Sequence, residues 1–356
     1  MASFYPINPQ QLNDSPPPSS DYFALALDFC RAWAAGQQTF VRQTSGSTGN
    51  PKSIEINRNQ LQHSAKITQQ ALQLQQGQTA LVCLNVAFIA GTMMLVRGME
   101  MGLNMYVVMP SSNPLEDIPA DVAVDFAAFV PLQMQTMLQN GLASRLNTFQ
   151  KIIVGGAAVS ESLLAQIALL QVPVFSTYGM TETVSHVALR RLNGLHKSES
   201  YALLPNIEAN TDERGCLRLR GAVTNQAWVQ TNDLVQFIDN QSFIIIGRAD
   251  NIINSGGVKI QLEKVEKAIE QVWCKQPRFF AWHQLDKTLG QKLILIIETT
   301  APADSNLAIK TLKVQLLPHL TNYEIPKQIY YIEKFIETPT GKIDKRATFE
   351  AANQLL

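Results

Sequence analysis

Charge of one sign is what this sequence most conspicuously lacks. Lys plus Arg and Asp plus Glu number 29 each, so the 356-residue chain has no formal net charge at pH 7, and charged residues make up only 16% of it. Without a basic excess there is no long-range field to gather nucleic acid or an anionic membrane surface, and small molecules are the expected partners. Cysteine is scarce as well. Cys30, Cys83, Cys216 and Cys274 are widely separated, with no C-x-x-C pair, which argues against a metal or redox site and for reduced thiols packed in cores. The chain does not open on a basic segment followed by an apolar run, and apolar stretches such as 81–90 contain polar residues and fall short of a membrane span. A cytoplasmic enzyme, with no membrane insertion, is the expectation. What the chain has is 46% apolar residues, enough for substantial cores, and a length that allows two domains.

The opening stretch to residue 20, rich in Pro, Ser and Asn, reads as an irregular surface arm. Over 21–35 the apolar residues Phe23, Ala24, Leu27, Cys30 and Ala34 recur at helical spacing, with Trp33 beside them. Residues 39–43 read as a strand feeding a glycine loop and 53–56 as another strand. A helix over 61–74 follows, capped by Asn57 or Asn59 and ended by Gly77. Strands at 81–84, 105–109, 126–130, 151–154 and 172–175 then alternate with helical stretches, the pattern of a layered α/β sheet. Near 243–260 the character changes, where the β-rich runs FIIIG and GGVKIQ flank the polar hinge RADN. A boundary there divides a large domain, 1–248, from a small α+β domain, 249–356. The latter holds a helix at 262–272, a strand at 292–298, a helix at 308–317 and a strand at 328–332.

Four segments carry chemistry. In TSGSTGNPK, Thr44, Ser45, Gly46, Ser47, Thr48 and Gly49 offer hydroxyl and backbone N–H donors that can wrap phosphate oxygens, and Lys52 adds a positive charge. Pro51 breaks the Walker A spacing. The competing reading is a Ser- and Gly-rich surface turn. STYGMTE follows an apolar strand, at the strand end where α/β folds bind ligands. Tyr178 can stack on a purine, Thr181 can hydrogen-bond a phosphate, and Glu182 can hold Mg2+ as a hard oxygen ligand, against the alternative of a buried Tyr and a helix cap. In the third segment, Asp233 and Arg248 suit the two hydroxyls of a ribose as acceptor and donor, though an Asp in a turn and an Arg on a hinge are ordinarily just solvated. The fourth, TPTGKIDKR, places Lys342 on a glycine-led turn, where a lone lysine is ordinarily surface charge.

In this order and at these distances the four segments resemble the adenylate-forming superfamily of acyl-CoA synthetases, peptide-synthetase adenylation domains and luciferases, over about residues 39–347. The resemblance implies a large α/β N-terminal domain and a small mobile C-terminal domain carrying the catalytic lysine. Only 43 residues precede Thr44, so the start looks shortened. Within the superfamily, YGMTETVSHVALRRLNG and DNIINSGGVKI are similar to o-succinylbenzoate–CoA ligases of menaquinone biosynthesis. Departures are Asn254, where many relatives have Lys; Phe88, where a His often gates the thiol tunnel; and Asn232, which replaces the glycine of T-G-D and tolerates left-handed backbone angles.

The resemblance implies two half-reactions, with ATP, Mg2+ and coenzyme A as the small molecules required. The acid's carboxylate attacks the α-phosphate of ATP and expels pyrophosphate; the coenzyme A thiol then attacks the acyl-adenylate and expels AMP. Lys342 would bridge carboxylate and α-phosphate, Glu182 would carry Mg2+, and 44–52 would hold the β- and γ-phosphates. Rotation about Asp250 would withdraw Lys342 and bring Gly256 and Gly257 to a thiol tunnel gated by Phe88. Gly155, Gly156 and Ala157 would form a wall beside Tyr178 at the adenosine. The second carboxylate of o-succinylbenzoate needs a cation or several donors, and the candidates are Arg97, Ser185, His186, Arg190 and Arg191, with Gly179 beside them. Each has a solvent-facing or ion-paired alternative. Other aryl- or fatty-acyl ligases, a carrier-protein-loading enzyme, a catalytically silent nucleotide sensor, and a homodimer all stay open at this point.

Overall fold

The computed structural model describes residues 4–43, 53–273, 277–300, 305–338 and 343–354. The chain opens on strand β1 (Phe4–Ile7), then helix α1 (Asp21–Ala34), strands β2 (Thr39–Gln43) and β3 (Ser53–Asn57), and helix α2 (Arg58–Leu72). Next come β4 (Thr79–Val82), α3 (Ile89–Met101), β5 (Asn104–Val108), β6 (Phe126–Phe129), α4 (Pro131–Gln139), α5 (Ala143–Leu146), β7 (Lys151–Val154) and α6 (Glu161–Ile167). The strand-rich middle holds β8 (Val174–Gly179), β9 (His186–Arg191), β10 (Tyr201–Leu203), β11 (Glu208–Thr211), β12 (Cys216–Arg220), β13 (Val229–Asp239) and β14 (Ser242–Arg248). The last part holds β15 (Ile252–Ser255), β16 (Val258–Gln261), α7 (Leu262–Val272), β17 (Phe279–Asp286), β18 (Gly290–Glu298), α8 (Ser305–Leu316), β19 (Gln328–Ile332) and α9 (Lys345–Gln354).

Twelve strands form one sheet in the order β1-β5-β4-β6-β7-β8-β9-β10-β14-β13-β12-β11. From β5 through β8 the pairs are parallel; the flanks are antiparallel. Parallel strands covered on both faces read as continuous apolar runs, and the two cores divide them by alternate residues. Ala80, Val82, Phe126 and Ala128 face the core under α1, α2 and α3, whereas Leu81, Cys83, Ala127 and Phe129 face the other, under α4 and α6. The layered α/β class is therefore what the alternation of strands and helices predicts. Residues from β15 onward make a separate five-stranded sheet, with two further apolar clusters of their own.

Several local expectations needed correction. The N-terminal arm is not wholly irregular: β1 pairs antiparallel with β5, and Tyr5 and Ile7 are buried. Four residues punctuated by Pro6 are too short to show a period. Helix α1 packs Phe23, Ala26, Leu27, Phe29, Cys30 and Trp33 inward, so Trp33 is core, not Ala34. Helix α2 starts at Arg58, capped by Asn57, and ends at Gln73 in a left-handed conformation rather than at Gly77. Residues 176–179 continue β8 itself rather than forming a loop after it. Strand β17 and helix α9 have no counterpart in the sequence reading. Cys30, Cys83 and Cys216 are buried free thiols as anticipated; Cys274 lies outside the described residues.

Candidate active site

Two corners at the antiparallel side of the large sheet gather the polar candidates. The first joins β8 to β13 and β14. Asp233 and Arg248 are direct cross-strand partners, and Arg248 Nη1 donates to Asp233 Oδ1 at 2.9 Å. The same guanidinium grips Asp250 with Nε at 2.9 Å and Nη2 at 2.7 Å. The Tyr178 hydroxyl donates to the other Asp233 oxygen, although β9, β10 and β14 lie between β8 and β13 in the sheet order, so the sheet curls here. Tyr178 also meets Phe243 edge-on at 5.4 Å and Tyr201 at 6.0 Å. Burial, reinforced by the Asp233 carboxylate, raises the Tyr178 phenol above its usual range, which keeps it a neutral donor. The hydrogen bond to Asp250 raises the Arg248 guanidinium. For Asp250, burial works upward but the bonds from Arg248 outweigh it and the carboxyl is lowered. A carboxylate, a guanidinium and an aromatic ring thus meet in one place, an arrangement that suits a nucleoside. Only 8% of Tyr178 is exposed, so most of its ring is already covered by protein.

After β8 the chain makes a short 3-10 turn, Thr181–Thr183, with Glu182 exposed and Thr183 buried. Gly179 is required there. A Cβ at this residue would lie 2.2 Å from the Ser185 carbonyl oxygen and 2.5 Å from His186 Cα.

The second corner lies between α2, α3 and the start of β9. Arg97 is 2% exposed, yet among the described residues it has no carboxylate partner. Its Nη2 donates to Ser185 Oγ at 2.8 Å and to His186 Nδ1 at 3.3 Å, its Nη1 reaches Met94 Sδ at 3.6 Å, and its buried Nε has no partner. His186 is 4% exposed and its Nε2 lies 3.1 Å from Thr68 Oγ1. Because Thr68 donates its own proton to the Ser64 carbonyl at 2.8 Å, His186 must carry its proton on Nε2 and accept from Arg97 at Nδ1. Burial first, and then the charge of Arg97, hold His186 well below its usual 6.5; burial lowers Arg97 to about 9, so it remains a cation at neutral pH. A buried guanidinium with no anion beside it is costly.

Arg97, Ser185 and His186 therefore come together; Arg190 and Arg191 do not join them. Arg190 lies over the Tyr201 ring at 5.3 Å and 3.7 Å from Glu199, and Arg191 lies over Phe175 and donates to the Asn193 carbonyl at 2.8 Å. Gly155, Gly156 and Ala157 follow β7, whose neighbour β8 carries Tyr178. Phe88 is the half-buried N-cap of α3. Gly256 and Gly257 form the two-residue turn between β15 and β16, with φ of 60° and 85°, values that glycine adopts without strain. Asn232 does not use a left-handed angle, contrary to expectation; it sits in extended β13. The loop 44–52 and Lys342 lie outside the described residues, but the strands that bracket the loop are paired, Gln43 opposite Ser53. Thr68, Val184, Tyr201 and Phe243 escaped the sequence reading. Thr68 carried the only available signal, a polar residue on the apolar face of α2.

The AMP-binding enzyme family matches residues 28–213, more than half of the chain. The chain belongs to this family. A solved structure described as an acyl-CoA synthetase (AMP-forming)/AMP-acid ligase II-like protein from Dyadobacter fermentans is 46% identical, covering 98% of this chain and 99% of that one with a TM-score of 0.67. The 2-succinylbenzoate–CoA ligase of Staphylococcus epidermidis is 26% identical over 333 residues, 85% of this chain and 68% of its own length. The o-succinylbenzoate coenzyme A synthetase of Bacillus subtilis, solved with ATP and magnesium ion, is 19% identical with a TM-score of 0.71, covering 87% of this chain and 69% of that one. This AMP-binding enzyme is thus an ATP-dependent, AMP-forming ligase with the adenylate-forming fold. Among the described residues no helix is long and apolar enough to cross a membrane.

Proposed function

We propose that this AMP-binding enzyme is an o-succinylbenzoate–CoA ligase, forming an acyl-adenylate and then the coenzyme A thioester. The observation that carries the substrate is Arg97, a buried cation whose neighbours are a hydroxyl and a neutral imidazole instead of a carboxylate. A monocarboxylate would bring one anion, consumed in the reaction; a dicarboxylate brings a second that can stay ionised against Arg97 and Ser185. The relatives named 2-succinylbenzoate–CoA ligase support the same choice.

In the first half-reaction a carboxylate oxygen bonds to the α-phosphorus as the bond to the β-bridging oxygen breaks, and pyrophosphate leaves with those electrons. No protein nucleophile is needed, so the chain's task is alignment and charge neutralisation. Asp233 accepts from the ribose while Tyr178 and Arg248 keep it fixed. Residues 44–52 and Lys342 attend the phosphates. Glu182 fits Mg2+ as a single exposed carboxylate beside Thr181; no group of three acidic, His or Cys residues that could hold a metal occurs among the described residues, so the phosphates and water would fill the rest of the shell. The ion would balance phosphate charge. In the second half-reaction the thiol loses its proton to solvent water, its sulfur bonds to the acyl carbon, and the bond from that carbon to the phosphate oxygen breaks, AMP leaving with those electrons.

The division at 248/249 and the rotation about Asp250 belong to the same proposal. Arg248 and Asp250 are the last residue of β14 and a member of the 3-10 turn that follows it. A TM-score of only 0.67 with a chain 46% identical over nearly its full length is what two rigid units set at different angles would give. The deciding experiment is carboxylate-dependent pyrophosphate exchange with o-succinylbenzoate, benzoates and fatty acids, followed by addition of coenzyme A. Exchange with o-succinylbenzoate and a thioester product are expected. Exchange confined to a long-chain acid would refute the assignment.

A further inference from the structure

Between the exposed Glu182 and the half-buried Ser185 the backbone does something unusual. Val184 has φ 67° and ψ −54°, and the Ser185 N–H donates to the Thr183 carbonyl at 2.8 Å. Those are the marks of a three-residue γ-turn of the rare, strained hand, and a β-branched residue with positive φ is an outlier that persists only where its surroundings impose it. Here they do. The Val184 side chain is 1% exposed within the main core. Thr183 Oγ1 lies 2.8 Å from the Ser185 carbonyl and 3.1 Å from that of Met180, and accepts from the Met180 N–H at 3.0 Å. From the other side the turn lies against Gly179, which has no room for a Cβ.

The turn's product is the start of β9, where Ser185 Oγ meets Arg97 and His186 Nδ1 faces the same guanidinium. We propose that Val184 is a positioning residue, whose clamped γ-turn delivers Ser185 and His186 to Arg97 at a fixed offset from Glu182. One rigid turn would then register the acid's distal anion against the metal side of the ATP site. This inference rests on the assignment of the Arg97 corner to the acid.

Val184→Ala keeps a Cβ and therefore the strain; Val184→Gly removes the strain but frees the turn. Both lose the same packing, apart from one methyl group, so their difference isolates the turn. In the full-length enzyme, with o-succinylbenzoate as probe in pyrophosphate exchange, Val184→Gly should melt at a higher temperature than Val184→Ala, the reverse of the usual order for these residues. It should also show a KM for the acid about tenfold higher, with kcat changed less than about threefold. A lower melting temperature for the glycine variant, or equal KM values for the two, overturns the proposal. Arg97→Lys is measured alongside. If it leaves the acid's KM unchanged, the acid assignment itself fails; if it raises KM while the two Val184 variants agree, only the positioning role fails.

Discussion

The two corners of the site treat their charges in opposite ways. Around Tyr178, Asp233, Arg248 and Asp250 each charge already has an opposite partner, and one guanidinium ties two carboxylates together. Around Arg97, Ser185, His186 and Thr68 there is one buried cation and only neutral neighbours. A nucleoside entering the first corner joins a finished network whose geometry exists without it. An anion entering the second completes a network otherwise left short of charge, so there the ligand's charge is part of the structure. Under the proposed assignment the first arrangement would hold the nucleotide and the second would discriminate among acids. Discrimination of this kind is strong because the wrong ligand leaves a buried polar group unpaired.

The largest effect is expected from Lys342, which the proposed mechanism assigns to the bond-forming step. Lys342→Ala is expected to slow adenylate formation about a thousandfold, since it removes charge stabilisation where charge develops, and to leave thioester formation from supplied acyl-adenylate near normal. Equal loss of both half-reactions would show that the lysine is not confined to the first. Next comes Arg97→Ala. Leaving the acid's second carboxylate buried without a partner costs about 3–5 kcal/mol, so KM for o-succinylbenzoate should rise at least a hundredfold while KM for ATP is unchanged. Asp233→Asn should do the converse on a smaller scale, raising KM for ATP about tenfold through loss of one charge-assisted acceptor. If either variant moved both constants together, the corners would not be separate functional units.

Much of the scaffold was legible because its signals are local. The apolar strand runs, the cap at Asn57 and the 3.6-residue period of α7 each depend on neighbours in sequence. The Asp233 corner was legible by residue chemistry and by resemblance, not by structure: the sequence suggested an Asp in a turn and an Arg on a hinge, whereas the two face each other across consecutive paired strands. The acid corner was legible only as five separate polar residues. Choosing Arg97, Ser185 and His186 over Arg190 and Arg191 requires knowing that α3 packs beneath the start of β9, a contact between residues 88 or more positions apart. Thr68 was missed for the same reason, its partner lying 118 positions away. The strained angle at Val184 has no signature in residue type; packing imposes it. Strand β1 was missed because four residues are too few to display a period.

The smallest expected effect tests whether the acid corner is electrically as described. An unfolded His186 takes up a proton as pH falls through its usual 6.5, whereas the folded one, buried and facing Arg97, stays neutral over the next stretch of pH. The other charged or polar groups around it are Arg97 from α3, Ser185 from the same chain turn and Thr68 from α2, and none of them can offer a compensating negative charge. In that window the unfolded state binds the extra proton, so stability decreases as pH drops below 6.5 and is fully restored above it, with a slope of about 1.4 kcal/mol per pH unit for this one group. His186→Gln keeps an acceptor for Arg97 and a donor for Thr68 but cannot titrate. Urea unfolding between about pH 5 and 7 should therefore give the glutamine variant a shallower slope than the parent by close to one proton. His283, also held low by burial, is common to both proteins and cancels. Identical slopes would mean that the folded enzyme accepts a proton on His186 beside Arg97. That corner would then hold two cations, and its preference for a second carboxylate would become a function of pH.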